Sequence, residues 1–201
     1  MARARSAQGF SVAQRAKVIS GALTFAIGVL LFIASSLAAQ NKSGVLEIHI
    51  KDHRDAIGDF AKLNIVIDKF SLSPKAGLKF WQTGWRDLPA NPDTVDLTQY
   101  IGINRARVYR GPIEAGSFEG FHLKIKRIDG ILNKDQRRAA IKNRIGTVKL
   151  PFEVRPDGET LLIIDLTVGD FTDHPPRGYE LSLQGYEVFT NGKLTARIPP
   201  G

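Results

Sequence analysis

The amino-acid sequence predicts an all-β fold, an antiparallel β-sandwich, preceded by a single membrane-spanning helix. Residues 18–39 form an uncharged apolar run of about 22 residues, long enough to cross a bilayer as a helix. Beyond it the pattern changes to short runs in which apolar and polar residues alternate, the signature of half-buried strands. Gly, Pro, Asn and Asp separate those runs, and a single short segment carries helix signals.

The N-terminal run fixes the expected topology. Arg3, Arg5, Arg15 and Lys17 precede it, no acid occurs before residue 40, and polar Gln40, Asn41 and Lys42 follow. The positive-inside rule then places residues 1–17 in the cytoplasm as a basic head, 18–39 in the membrane and 40–43 as a linker. Residues 44–201 become a periplasmic or extracellular domain at the cell membrane. Ser11 and Gln14 have the spacing of a capping box that starts the helix. A cleaved leader is the competing reading, since a basic head, an apolar centre and the small-residue tail ASSLAA fit it as well. The run exceeds the usual leader core, which favours retention, and either reading exports the domain. Ser20, Gly21, Thr24 and Gly28 are small residues of the kind that let membrane helices approach closely, so Gly21, Thr24 and Gly28 are candidate partner contacts.

Composition narrows the chemistry. The absence of cysteine excludes disulfides, thiolate metal sites and Cys nucleophiles, so the exported domain rests on packing alone. Of the net charge of +8, four units lie in the basic head, leaving about +4 for the rest. Mild basicity outside the cytoplasm suits anionic headgroups or acidic surfaces and argues against nucleic acid.

Taken in order, Leu46, Ile48 and Ile50 alternate with Glu47, His49 and Lys51 in a first strand. Leu63, Ile65 and Ile67 begin a second, and Phe70 and Leu72 continue it on the opposite parity, which predicts a bulge near Asp68 and Lys69. A hairpin about residues 75–77 returns through Phe80, Trp81 and Trp85; Trp85 is expected in the core and Trp81 is a candidate exposed anchor. Gly111, Pro112 and Gly116 read as turns before a strand at Phe121, Leu123 and Ile125, whose outward residues His122, Lys124 and Lys126 are basic. Asp129-Gly130 reads as another turn. Asn133 with Gln136, and Gly146 beyond, predict a short basic helix over 133–146, with Arg137, Arg138 and Lys142 as a candidate docking surface. Val148 to Val154, the central-looking run LLIIDLTV and Tyr179 to Val188 are the closing strands, the last with a bulge at Gly185. Turns are expected at RPDG and at Asn191-Gly192.

The succession GVLEIHIKD, KLNIVIDKFSLSP, GWRDL, IEAGSFEGFHLKI, VKLPFEV, PDGET and LIIDLTV resembles a family of exported bacterial and archaeal domains of unknown function. The resemblance runs from about Gly44 to about Leu194. It implies a prealbumin-like, carbohydrate-binding-like or immunoglobulin-like sandwich in an exported location, and it implies no catalytic residues, because the family has none assigned.

No nucleophile elbow, glycine-rich phosphate loop or haem-attachment motif occurs, so the sequence predicts no enzyme and no cofactor. His49 and His53 lie too far apart along a strand to share a metal. Asp52, Asp55 and Asp59 are candidate calcium ligands without the spacing of a known calcium loop, and a solvated acidic turn is the stronger reading. Asp170, Asp173 and His174 read as turn formers before Pro175-Pro176. The expected function is therefore a non-catalytic, membrane-anchored subunit that stabilises or assembles a larger membrane protein complex, photosynthetic or respiratory assemblies being an illustration of the layout. The alternative is a secreted or surface-attached module binding a glycan through Trp81 with Tyr100 or Tyr109.

Overall fold

The structure, a computed structural model, describes residues 42–75, 84–173 and 178–198, all within one unit, Lys42–Gly201. Among the described residues twelve strands build two sheets. In sheet one the order is β12 (Lys193–Ile198), β11 (Tyr179–Thr190), β10 (Glu159–Asp170), β1 (Ser43–Asp52) and β5 (Ala106–Glu114), with β8 (Ile141–Asn143) also on β11. Sheet two runs β3 (Arg86–Leu88), β2 (Phe60–Pro74), β6 (Gly116–Leu132) and β7 (Arg138–Ala139), with β4 (Thr94–Asp96) on β2 and β9 (Thr147–Val154) on β6.

Alternation dictates which face each strand buries. Leu46, Ile48 and Ile50 of β1 are wholly buried, as are Leu63, Ile65, Phe70 and Leu72 on β2 and Leu162, Leu166 and Val168 on β10. These side chains belong to one core drawn from both sheets. Each contributes about 1.5–3 kcal/mol by leaving water. The Phe60 and Tyr179 rings meet edge to face at 4.8 Å and join β2 to β11 across the sheets. Phe70 stacks with Phe121 at 6.0 Å and Phe118 with Phe152 at 5.0 Å within sheet two.

The run LLIIDLTV does occupy the centre of sheet one, as its near-continuous apolarity predicts. Its pairing with β1 is parallel, however, as is that of β8 with β11, so sheet one is mixed, whereas every pairing of sheet two is antiparallel as expected. The reason is connectivity. The chain leaves sheet one after β1, spends β2 to β4 in sheet two, and finally re-enters from β9 at the end where β1 began. There the Asp157 amide donates to Ser43 O at 2.9 Å and the Val45 amide to Gly158 O at 2.8 Å. The bulge expected near Asp68 and Lys69 is present, with the register shifting between Ile67 and Lys69. Asn191 (φ 49°) and Gly192 (φ 76°) form the two-residue hairpin between β11 and β12, both with the positive φ of a type I′ turn.

Several expectations are corrected. The predicted helix over 133–146 is instead a turn followed by β7 and β8. Gln136 adopts φ 56° and its Nε2 donates to Asn133 O, so it makes no capping box, and the Leu132 amide bonds Arg137 O to open a hairpin. The apolar residues Ala139 and Ile141 are two apart, a strand's spacing, and both pack against the core. Asp129-Gly130 is no turn but lies inside β6, where a side chain at Gly130 would come within 2.7 Å of the Phe60 ring. Gly111-Pro112 is likewise inside β5, whose place at the sheet edge tolerates proline. The β11 bulge falls at Gln184, one residue before Gly185, because Asp165 pairs with Gly185 and Leu166 with Leu183. Trp85 is not a core residue; it is 47% exposed.

Among the described residues no helix is long and apolar enough to cross a membrane. The expected anchor with Gly21, Thr24 and Gly28, together with Trp81 and His174, lies outside the described residues.

Candidate functional site

The acidic segment after β1 is tied into the fold rather than arranged around an ion. Asp52 ends β1 on its inward face and is wholly buried. Its Oδ1 accepts the Arg54 amide at 2.8 Å, while Oδ2 has no partner. Burial, with the charges of Asp165 and Asp55 nearby, raises its pKa to about 6. Asp55 accepts a hydrogen bond from the Thr167 hydroxyl at 2.6 Å, and Asp59 from the Tyr179 hydroxyl at 3.1 Å. The three carboxylates thus serve three separate contacts, and no group of three or more His, Asp or Glu residues able to hold a metal occurs among the described residues. His49 bonds Glu47 while His53 bonds Asp165, so the two imidazoles engage different acids. Asp170 caps the next turn by accepting the Thr172 amide at 2.8 Å.

The basic insert does not present one surface. Arg137 pairs with Asp135 at 2.5 Å. Arg138 lies on β7 in sheet two, and Lys142 on β8 in sheet one. The insert therefore bridges the two sheets along one side and divides its cations between them. Tyr100 and Tyr109 pack against the core.

On the outer face of sheet one, Arg110 bonds both Glu47 and Glu159, and Glu47 also takes His49. Burial pushes the Glu47 carboxyl up, but the hydrogen bonds from His49 and Arg110 bring it below its ordinary value. Lys51 and His53 share Asp165, and Arg197 pairs with Glu187. These acids are consumed by their neighbours.

The outer face of sheet two differs. Ser73 pairs with Gly120, Ser71 with His122 and Lys69 with Lys124 across β2 and β6, which sets these residues outward in rows. On the flanking strands Asp87 opposes Ser71, and Lys149 opposes Gly120. Trp85 precedes β3 and covers Gly120: a Cβ built there would lie 3.2 Å from the indole Cη2 and 3.0 Å from Ser73 Cβ. Glycine at this position is what lets the edge of the ring approach the sheet. Nearby, His122 Nδ1 is buried without a partner. Farther along β6, Lys62, Asn64, Arg127, Asp129, Ile131 and Arg138 line a groove of about 430 Å³. Arg127 is held by Asp129 at 2.5 Å, Lys124 by Asp68 at 3.0 Å and Lys69 by Asp87 at 2.5 Å. Lys62, Arg138 and Lys149 have no acid partner among the described residues.

The outward basic row His122, Lys124 and Lys126 is readable from alternation, whereas Gly120, Lys62, Arg127 and Lys149 as parts of the same face are not, because strand pairing brings them together. Fold and face together define a two-sheet, all-β domain whose second sheet has a polar and basic outer face. The chain belongs to the DUF4382 family, described as a domain of unknown function, which matches residues 43–181, from β1 into the start of β11. No curated protein and no solved structure matches the chain.

Proposed function

We propose that the chain is a non-catalytic, membrane-anchored extracytoplasmic domain that binds a glycan on the outer face of its second sheet, within a prealbumin-like or immunoglobulin-like sandwich. Trp85 carries this reading: a half-exposed indole whose Cη2 edge meets the sheet at Gly120, with Ser73 and Lys149 opposite Gly120 on the flanking strands. A half-exposed indole offers apolar surface to a pyranose, and the hydroxyl of Ser73 and the ammonium of Lys149 are polar groups that sugar hydroxyls can meet. Expected anchoring by residues 18–39 supports a surface role. The test is a glycan array probed with the full chain in non-ionic detergent, beside Trp85→Ala; binding that survives the substitution, or no binding at all, refutes the reading.

A subunit that assembles or stabilises a membrane protein complex is the second reading. It is favoured by the small residues Gly21, Thr24 and Gly28 in the expected anchor. Purification in gentle detergent, with the intact mass and the identity of co-purifying proteins, decides it: a stoichiometric partner supports assembly, and a chain that travels alone refutes it.

A further inference from the structure

We infer that the ligand of the second sheet's outer face is an acidic polysaccharide, its carboxylates taken by a basic groove at the opposite end of the face from Trp85. The inference rests on the glycan reading above and names its substrate class. Gly120, under the indole, and Arg127, in the groove, are seven residues apart on β6, or about 23 Å at strand spacing. Several sugar rings fit such a track. Its cations outnumber its acids: Lys62, Lys69, Lys124, Arg127, Arg138 and Lys149 face Asp68, Asp87 and Asp129. The three acids are already engaged by Lys124, Lys69 and Arg127. What is left is a surplus of positive charge at Lys149, beside the indole, and at Lys62 and Arg138 in the groove. A neutral glycan would leave that surplus unused, whereas a polymer with a carboxylate on each ring meets it at both ends. Arg127 and Arg138 present planar donors suited to carboxylates. The groove is too open to enclose a free monosaccharide, so a chain lying along the sheet is the fitting form.

The experiment is affinity electrophoresis and calorimetry of the full chain in non-ionic detergent with polygalacturonate, neutral dextran and mannan, and inorganic polyphosphate. Polygalacturonate is expected to bind about tenfold or more tightly than the neutral polymers. Trp85→Ala should abolish this binding, Trp85→Phe should restore part of it, and Arg127→Ser with Arg138→Ser should lower affinity to the level of the neutral polymers. Equal binding of neutral and acidic polymers, all lost in Trp85→Ala, overturns the acidic specificity and leaves the glycan reading standing. No binding to any polysaccharide overturns both. Equal binding of polyphosphate, or polygalacturonate binding indifferent to Trp85→Ala, shows generic attraction of a polyanion to a basic protein and overturns the inference.

Discussion

Replacing Asp52 with Asn should stabilise the domain at neutral and alkaline pH, and the gain should vanish in acid. Asp52 is wholly buried, one oxygen accepts the Arg54 amide, and the other has no partner. Its pKa is raised by burial, from 3.8 to about 6. A raised carboxyl works against folding wherever it must be charged: well below pH 3.8 both folded and unfolded chains carry it neutral, and above about 6 the folded chain holds a buried charge. At about 1.4 kcal/mol per unit, that charge costs on the order of 3 kcal/mol. Asparagine keeps the Oδ1 acceptor for Arg54 without the charge. Urea unfolding of the full chain in non-ionic detergent, from pH 3.5 to 8, should show Asp52→Asn more stable by about 3 kcal/mol at pH 8, by about half that at pH 5, and by only about 0.2 kcal/mol at pH 3.5. The difference between variant and parent isolates Asp52 from His49, whose pKa burial lowers and which acts with the opposite sign as acid is added. A difference that does not change with pH, or a variant less stable at pH 8, refutes the argument that Asp52 is buried as a destabilised acid.

Other substitutions test the architecture. Gly44→Ala would put a methyl group 2.4 Å from Arg155 O and 2.9 Å from Gly158 O, backbone atoms that cannot step aside, so unfolding should show a loss of roughly 2–4 kcal/mol. Ile48→Ala, at a wholly buried position, should cost about 2–5 kcal/mol in the same assay. Gly120→Ala should lift the indole of Trp85 from the sheet, read as a change in tryptophan emission in a chain that also carries Trp81→Phe; unchanged emission contradicts the seating of the ring.

Much of the fold is legible because alternation states burial directly. Leu46, Ile48 and Ile50, the parity slip after Ile67, the apolar run of β10 and Asn191-Gly192 each carry their structure in neighbouring residues. What is not legible depends on the partner strand. Asp129-Gly130 has the composition of a turn, yet Gly130 serves as a gap for the Phe60 and Ile141 side chains. Asn133 to Gly146 has helix punctuation, yet Ala139 and Ile141 find burial at strand spacing by pairing with β6 and β11. Parallel pairing of β1 with β10 follows from a path through the other sheet, which no local pattern encodes.

Trp85 shows how parity outweighs residue type. A tryptophan among strands invites a core assignment, because its ring buries more apolar area than nearly any other side chain. Leu88, three residues on, packs against the core and pairs with Phe70, which is itself wholly buried. With side chains alternating across the sheet, a residue three positions before an inward one points outward, as Asp87 does beside Ser71. Continued one residue back from β3, that alternation turns Trp85 outward where Leu88 is inward. The ring then needs a place on the solvent face, and Gly120, 35 residues away in sequence, supplies it by leaving the sheet bare beneath. The outward position of Trp85 thus follows from the parity of β3 carried one residue back, and Gly120 leaves the room that the edge of its ring occupies.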